Sequence, residues 1–438
     1  MRASALKYAI LSIVATLISL VILLMPFHAF LTVWGSQLVG HYTALRLWKE
    51  AVLLLCMLGV FYLVVTDGKI RSFTLTRRLV WLILFYGAIN VVWGIVALKH
   101  HDVTRKALGY GLIVNLRFLA FFLVTWAVAL RTNRLRLGWQ RLLLWPFVIV
   151  VAFAAVQELI LAPRFLQHFG YSKYTILPFQ YVNNNHNFLR IQSTLRGANP
   201  LGAYLILPLS MLTAALLKNK RNWRLWLLYA LGLFALFFSF SRSAWIAYVV
   251  SAVLVVAVLY WQRFIKLLPW LVAGIVILGG LLFANIHKST QLENIILHTQ
   301  THSAIKTTSD QSHTASLKAG LKDLAHQPLG RGPGTAGPAS VYNNHPARIP
   351  ENYYLQIGQE LGWLGLVVFL LINAGVGYLL WTRRSDPLAL SLFASFIGLS
   401  FINLLSHAWA DDTLAYVWWG LAGIAMVREK PKHEPKTH

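Results

Sequence analysis

The stretch that decides the fold is YYLQIGQELGWLGLVVFLLINAGVGYLLW, residues 353–381. Glu360 is its only charged residue, and the run is longer than the roughly 20 apolar residues that cross a bilayer as a helix. Comparable runs recur along the chain, so the sequence predicts an all-α integral membrane protein with about twelve transmembrane helices. The predicted spans are residues 8–34, 51–66, 79–98, 108–130, 142–161, 201–217, 225–240, 244–261, 267–286, 353–381, 387–405 and 414–427.

The composition agrees with a chain whose main solvent is lipid. Of its 438 residues, 57% are hydrophobic and 12% are charged, which is too apolar for an ordinary soluble domain. The formal net charge is +25, but Lys and Arg lie mainly in short links between apolar runs. The charge therefore indicates membrane topology, and no nucleic acid is expected as a partner. The single cysteine, Cys56, lies inside an apolar run, which leaves no intramolecular disulfide and no thiolate cluster for a metal.

Basic residues predict how the chain crosses the membrane. With the amino terminus in the cytoplasm, every inner link is basic, as the positive-inside rule requires, although two outer links, at Arg46 with Lys49 and at residues 99–106, are basic as well. The first apolar run is too long for a cleaved signal peptide and is interpreted as a span. We expect one membrane domain, residues 1–438, in the cytoplasmic (inner) membrane with both termini cytoplasmic. The inner links carry Lys69, Arg71, Arg77, Arg78, Arg131, Arg134, Arg136, Arg141, Lys218, Lys220, Arg221, Arg224, Arg263, Lys266, Arg383 and Arg384, and the tail 428–436 is also basic.

Two extracytoplasmic segments are too long to be simple links: residues 162–200 and 287–352. Long loops in compact proteins are usually functional or disordered. The second contains a predicted helix over residues 312–326, which ends before Pro328 and the glycine-rich run 330–334. We therefore expect a partly helical lid on the membrane surface, and any chemistry should lie in these two loops.

Three arginines at the outer surface are candidates for binding an anion. Arg190 and Arg196 lie at the end of the first loop, and Arg242 occupies a very short outer turn between two spans. Each guanidinium offers a planar fork of donors that suits phosphate. An arginine at the depth of Arg242 is costly unless it is paired or faces a wet cavity. The alternative is that these side chains contact lipid headgroups or other loop residues.

The second loop offers two candidates for a general base. His345 and Glu351 are the nearby residues that can accept a proton, and Glu351 stands beside the start of a span, where partial desolvation tunes a carboxylate. A histidine in a polar loop is often merely solvated. The glycine-rich run 330–334 is compatible with a backbone cradle for phosphate and equally with a simple turn.

Ionisable residues inside or next to the spans have two interpretations. Arg117, in the fourth predicted span, is either a functional residue or the partner of Glu158 or of a backbone carbonyl. Glu360 is expected to anchor helix packing, and Asp411 and Asp412 to mark an outer boundary. The sequence contains no Walker lysine loop, no zinc signature and no defensible Ser-His-Asp arrangement.

Three motifs occur in the order and on the side of the membrane typical of one family. The first is RIQSTLRGANPLGAY, residues 190–204, and the second is SFSRSAW, residues 239–245. The third extends from PLG at 328–330 through ENYYLQ at 351–356 to ELGWLG at 360–365. With these motifs the chain resembles the O-antigen ligase and O-antigen polymerase superfamily of lipid-linked glycan transferases.

The resemblance covers the chain from Arg190 to the end of the tenth predicted span. It implies a membrane glycosyltransferase that transfers a glycan from undecaprenyl diphosphate to an acceptor hydroxyl, with the glycan or lipid acceptor and membrane lipids as its partners. It implies no nucleotide, no metal and no other cofactor, because the donor carries its own leaving group. Arg190, Arg196 and Arg242 would then bind the diphosphate, and a base would assist displacement with inversion.

One departure concerns the base. Ligases of this family usually have histidine immediately before the asparagine at the start of this span, where this chain has Glu351, and His345 is the nearby substitute. Both a ligase and a polysaccharide polymerase therefore remain open. A multi-span transporter of an anionic solute is the alternative from another class, although the hydropathy has no two-fold pattern. A scaffold in an envelope-assembly complex would leave the outer arginines unexplained.

Overall fold

A computed structural model describes residues 2–182, 185–286 and 309–427. Regular structure in these ranges is almost entirely helical, which confirms the predicted all-α class. Two short strands form the one sheet there: β1 (Gln180–Tyr181) pairs antiparallel with β2 (Leu189–Arg190), and Gln180 faces Arg190. The α-helices are α1 (Arg2–Leu24), α2 (His28–Val39), α3 (Tyr42–Arg46), α4 (Trp48–Thr66), α5 (Gly68–Thr76), α6 (Arg78–Lys99), α7 (Arg105–Ala129), α8 (Arg134–Leu159), α9 (Ala198–Lys218), α10 (Trp223–Phe238), α11 (Arg242–Leu259), α12 (Trp261–Ile286), α13 (Ser309–His326), α14 (Tyr353–Trp381), α15 (Pro387–Asn403) and α16 (Asp412–Ala425).

The helices agree with the predicted spans in position but not all in length. Within the described ranges, nine segments are long and apolar enough to cross a membrane, with α1 and α2 counted together as Ser4–Val39. Three predicted spans form the shorter helices α10, α15 and α16, of 16, 17 and 14 residues. At 1.5 Å a residue these cover about 21 to 26 Å, whereas a hydrocarbon core is about 30 Å thick. The number of twelve spans therefore stays a prediction.

The helix α16 lies at the centre of the bundle. All of its residues are buried, and it packs against α7, α9 and α15. The rings of Trp418 and Trp419 meet the ring of Trp409, in the turn before α16, at centroid distances of 5.1 and 5.6 Å. A helix that is apolar on every side is stable when other helices enclose it, which explains how so short a helix is accommodated.

The second predicted loop contains the expected helix. The sequence predicts it over residues 312–326, and the structure has it as α13, Ser309–His326. Leu324 packs with Leu355 and Leu366 of α14, so the helix is docked on the bundle. The first part of that loop, residues 287–308, and the predicted basic tail lie outside the described residues.

Three connecting segments meet at one end of the bundle: residues 160–197, 327–352 and 404–411. The Asn352 side chain donates to the carbonyl of Leu404 at 3.0 Å. Arg196 forms a salt bridge with Asp411 at 3.0 Å. Residues of both predicted outer loops therefore contact the turn that leads into α16.

Candidate functional site

Arg190 is held where the first loop returns to the bundle. Its Nε donates to the carbonyl of Ser239 at 3.2 Å, and its terminal nitrogen donates to the Asn199 side chain at 2.6 Å. The next amide, of Ile191, donates to the carbonyl of Phe238 at 3.1 Å. The β-ribbon is thus fastened to the end of α10 and to the first turn of α9.

The turn between α10 and α11 brings Arg242 to a helix start. Phe240 takes a left-handed conformation, φ 47°, which turns the chain, and Ser241 is the N-cap of α11. A Cβ at Gly202 would lie 2.7 Å from the Ala244 Cβ, so glycine at this position allows α9 to approach the first turn of α11. Arg242 is the first residue of α11, at the positive end of the helix dipole, where anions are favoured.

The structure brings Arg190 and Arg242 together. Burial lowers the pKa of Arg190 to about 10, and the positive charge of Arg242 is the second cause of that shift. Arg190 is still charged at neutral pH, so two guanidinium groups repel each other here. An anion bound between them would relieve that repulsion.

Arg196, the third predicted anion ligand, has an acidic partner instead. Its side chain is 44% exposed, and its Nε lies 3.0 Å from the Asp411 carboxylate. Asp411 also caps α16, because its other oxygen accepts from the amide of Leu414 at 3.1 Å. The charge of Arg196 is therefore partly balanced by the Asp411 carboxylate.

A cavity of about 330 Å³ is lined in part by the Arg196 and Asp411 pair. Tyr42, Arg46 and Gln180 also line it. Hydroxyl, amide, carboxylate and guanidinium groups therefore face one space large enough for a sugar ring, which is the set of groups that binds sugars through hydrogen bonds.

Beneath this cavity lies a buried ion cluster that contains Arg117. The guanidinium is 2.5 Å from the Asp412 carboxylate and donates to the carbonyl of Ala410 at 2.7 Å. Lys49 lies 2.9 Å from the other oxygen of Asp412. These contacts favour the structural interpretation of Arg117, with Asp412 as its acidic partner. Of the two partners named for that interpretation, a backbone carbonyl is present, that of Ala410, whereas the acidic partner is Asp412 of α16 and not Glu158.

Glu351 lies beside a histidine that the sequence analysis did not single out. Asn352 caps α14 by accepting from the amide of Leu355 at 2.9 Å, and its bond to Leu404 holds the turn containing His407 nearby. Burial lowers the pKa of His407 to about 4, the Glu351 carboxylate opposes this shift, and Arg196 adds to it. The imidazole is therefore neutral at neutral pH. Its buried Nε2 atom makes no hydrogen bond within the described residues.

His345, the other predicted base, is exposed. The segment that contains His345 is bound to α13, because the Arg348 guanidinium donates to Asp323 of that helix. The amide of Arg348 donates to the Ser340 hydroxyl at 3.0 Å, which holds the segment away from the arginine pair. The geometry therefore offers Glu351 and His407, rather than His345, as groups that lie together at the end of α14.

The glycine-rich run is engaged by α14 and does not present its amides to a ligand. The amide of Gly334 donates to the buried Glu360 carboxylate at 2.8 Å, and the amide of Gly332 donates to the Glu360 carbonyl at 2.7 Å. The second carboxylate oxygen accepts from Asn115 of α7 at 2.7 Å. The turn interpretation is therefore favoured over a phosphate cradle. Glu360 joins the loop to two helices, as expected of a packing anchor.

The position of His407 in the sequence already indicated a candidate base. It lies in the same predicted outer link as Asp411 and Asp412, a link that was interpreted only as a boundary. An imidazole in an outer link is a candidate base on the side where Glu351 was predicted. Its proximity to Glu351 depends on tertiary structure, because residues 353–403 of the chain, which form α14 and α15, separate the two.

The fold and the site define a multi-pass helical membrane protein in which Arg190, Arg196, Arg242, Glu351 and His407 lie at one end of the bundle. Residues 227–370 match the family described as O-Antigen ligase. The resemblance to the O-antigen ligase superfamily is thereby confirmed, and this family indicates a membrane glycosyltransferase with a lipid-linked glycan and an acceptor as partners. Arg242, His345 and Glu351 lie within the match, whereas Arg190, Arg196 and His407 lie outside it. No curated protein matches the chain.

Proposed function

We propose that this protein transfers a glycan from undecaprenyl diphosphate to an acceptor hydroxyl on the extracytoplasmic side of the cytoplasmic membrane. The observation that carries the proposal is the pair of Arg190 and Arg242 at the amino-terminal end of α11. Two neighbouring guanidinium groups beside a helix N-terminus suit a diphosphate. The match to the O-antigen ligase family supports the same chemistry.

In this proposal the arginines act on the leaving group. As the bond between the anomeric carbon and the diphosphate oxygen breaks, its electron pair moves onto the diphosphate. Arg190 and Arg242 stabilise that developing charge, with Arg196 as a third ligand when its pairing with Asp411 opens. The lipid part of the donor stays in the bilayer, so only the diphosphate and the glycan need a protein site. No nucleotide, metal or other cofactor enters the reaction.

The acceptor side is assigned to the cavity beside Arg196 and to the residues at the start of α14. The acceptor hydroxyl attacks the anomeric carbon from the face opposite the diphosphate, and Glu351 removes its proton, which produces inversion. His407 is the second candidate because its neutral imidazole lies beside Glu351. His345 remains a candidate only if its loop moves toward α14.

The test is glycan transfer by purified protein in detergent, from an undecaprenyl diphosphate oligosaccharide to candidate glycan and lipid acceptors, with a chelator present. Arg242→Ala should lower the rate by about 10²- to 10³-fold, the loss typical of removing one transition-state donor. Arg263→Ala is the matched control, since Arg263 is exposed in α12, which follows the far end of α11.

Transfer that is lost in Arg242→Ala and kept in Arg263→Ala would support the proposal. Equal transfer by both variants would remove the arginine pair from the mechanism. Absence of product with every acceptor, together with anion uptake into proteoliposomes, would instead favour the transporter class.

A further inference from the structure

We infer that the surface beside the proposed acceptor cavity binds a glycan that carries carboxylate or phosphate groups. Two segments form this surface, which we call the basic strip: the link between α6 and α7, residues 99–106, and the second loop, residues 309–352. Together they contain seven lysine and arginine residues and four acidic ones. A role of the strip in acceptor binding rests on the proposed glycan transfer, whereas the binding itself is measured without a donor.

The link between α6 and α7 runs against the charge pattern of membrane insertion. Outer links are normally poor in lysine and arginine, yet this predicted outer link contains Lys99, Arg105 and Lys106. All three side chains are exposed, and none of them forms a salt bridge within the ranges that the structure describes. Their charges are therefore open to an anion from outside the protein.

Lys106 is already held in one position. Its Nζ atom lies over the Tyr342 ring, 4.3 Å from the centroid, and that ring stacks on Tyr110 of α7 at 4.7 Å. The Thr104 hydroxyl donates to the carbonyl of Tyr342 at 2.9 Å, and the Thr104 amide donates to the Asn343 side chain at 3.0 Å. A cation that is fixed in advance loses less conformational freedom when an anion binds.

The strip continues into the cavity that is lined in part by Arg196. Tyr42 and Arg46 also line that cavity. Burial raises the pKa of Tyr42, and Tyr342 adds to this shift, so the two phenol groups are neighbours. Arg46 forms no salt bridge with another described residue, which extends the strip to the cavity. A sugar bound in the cavity would therefore have the next sugars of its chain beside cations.

Arg331 and Arg348 form the other end of the strip. Burial lowers the pKa of Arg331 and the charge of Arg348 lowers it further, whereas Asp323 and Asp102 act in the opposite direction. Arg348 also forms a salt bridge with Asp323. This end is partly balanced, so the excess positive charge comes mainly from the link between α6 and α7.

A glycan fits the strip better than a lipid headgroup does. Acyl chains need an apolar surface beside the headgroup site, whereas Tyr42, Arg46 and Tyr342, which join the strip to the cavity, all have polar ends. Hydroxyl and amide groups in the cavity suit a sugar ring, and the cations suit acidic groups on the same chain. Uronic acids and sugar phosphates share this anionic chemistry.

The experiment measures binding of fluorescent oligosaccharides to the purified full chain in nonionic detergent, without a lipid-linked donor. The probes are a galacturonic acid oligomer, its neutral methyl ester and a phosphorylated neutral oligomer of equal length. The variants are Lys106→Arg, which keeps the charge, and the triple change Lys99→Gln, Arg105→Gln and Lys106→Gln. Arg384→Gln is the control, because its guanidinium also lies 4.3 Å from a ring centroid, that of Trp381, in the link between α14 and α15.

The acid oligomer should bind more tightly than its ester, and the triple variant should weaken that binding about 10-fold, or about twofold for each exposed charge. Lys106→Arg and Arg384→Gln should bind as the wild type does. Binding of the phosphorylated oligomer alone would also support the inference and would identify phosphate as the anionic group. The comparison of acid and ester uses the wild type, so it does not depend on the folding of a variant.

Equal binding of the acid, the ester and the phosphorylated oligomer, or an unchanged triple variant, would overturn the inference. Displacement of the acid by short-chain phosphatidylglycerol but not by phosphatidylcholine would also overturn it and would assign the strip to lipid headgroups. With the same oligomers as acceptors, the triple variant should raise KM for the acid and leave kcat unchanged. A wild type that binds the acid and transfers to no acceptor would contradict the proposed function alone.

Discussion

Glu351 has an unusual backbone for the residue before a helix cap. Its φ of 51° is left-handed, a conformation that costs a residue with a side chain about 1–3 kcal/mol. Asn352 compensates through two hydrogen bonds, one to the first turn of α14 and one to Leu404. Strain that is held in this way clusters at functional sites, which agrees with the role proposed for Glu351.

At this residue, Glu351→Gln should lower glycan transfer by about 10²- to 10⁴-fold, because the amide keeps the size of the side chain and cannot accept a proton. His345→Ala should stay close to wild type, since His345 is exposed. Initial rates with one lipid-linked donor would compare the two. A larger loss in His345→Ala would show that the choice of base is wrong.

The pKa of His407 predicts the pH at which the transfer rate should decline on the acidic side. Burial lowers the pKa of His407 from 6.5 to about 4, so the folded protein favours the neutral imidazole. The free energy of unfolding is therefore at its full value above pH 6.5 and decreases as the pH falls toward 4, because the unfolded chain takes up a proton first. Transfer should therefore stay level from about pH 8 to 6 and decline only near pH 4, whereas a base with the pKa of a solvated imidazole would lose activity near pH 6.5.

The measurement is kcat/KM against pH for the wild type and for His407→Gln. If His407 holds the proton, the variant should lose rate over the whole range. A variant with the full rate and an unchanged profile would leave Glu351 as the base without help from His407.

At the scale of elements, the kink of α14 joins the lid to the bundle. Gly362 has φ +66°, and a Cβ there would lie 2.2 Å from the carbonyl oxygen of Pro328. The amide of Trp363 donates to that same carbonyl at 2.9 Å. An alanine at this position would therefore force the segment after α13 away from α14.

Gly362→Ala should release residues 327–336 and lower transfer, because these residues belong to the loop that leads to Glu351 and the start of α14. Limited trypsin digestion should cut the variant faster at Arg331, whose amide is now bound to the Gln359 carbonyl at 3.0 Å. Gly87→Ala is the control, since nothing lies within 4 Å of a Cβ there. Equal cleavage of the two variants would argue against a docked loop.

At the scale of the whole molecule, the buried ion cluster joins helices that are distant in the chain. Asp412 of α16 contacts Arg117 of α7, Lys49 of α4 and His28 of α2, the last at 3.4 Å. Glu50 lies 3.0 Å from Lys49, so two acidic groups balance two basic ones. Breaking such a buried set by removing one partner costs more than its net contribution to stability, because a buried charge is left without its counterion.

Asp412→Asn should destabilise the protein by about 3–5 kcal/mol. The double change Asp412→Asn with Lys49→Met restores charge balance and should recover part of that loss. Thermal unfolding in one detergent would measure both, and the double-mutant cycle would give their coupling. A single variant as stable as the wild type would show that the cluster does not hold the bundle together.

The sequence by itself determined the helical membrane class, the places of the apolar helices, the helix of the second loop and the arginines at the ends of the spans. These follow from hydropathy, helix periodicity and charge in windows of about 20 residues, which depend only on local order along the chain. The three family motifs belong to the same level, because they are short and local.

Only the tertiary structure decided which charged groups meet. In the structure, Arg117 pairs with Asp412 rather than with Glu158, and Arg196 pairs with Asp411. His407 lies beside Glu351. It also showed that α16 is enclosed by other helices, whereas its hydropathy predicts only a membrane span. The physical reason is that an ion pair or a buried face forms where helices distant in sequence pack together, and a local window contains no information about that packing.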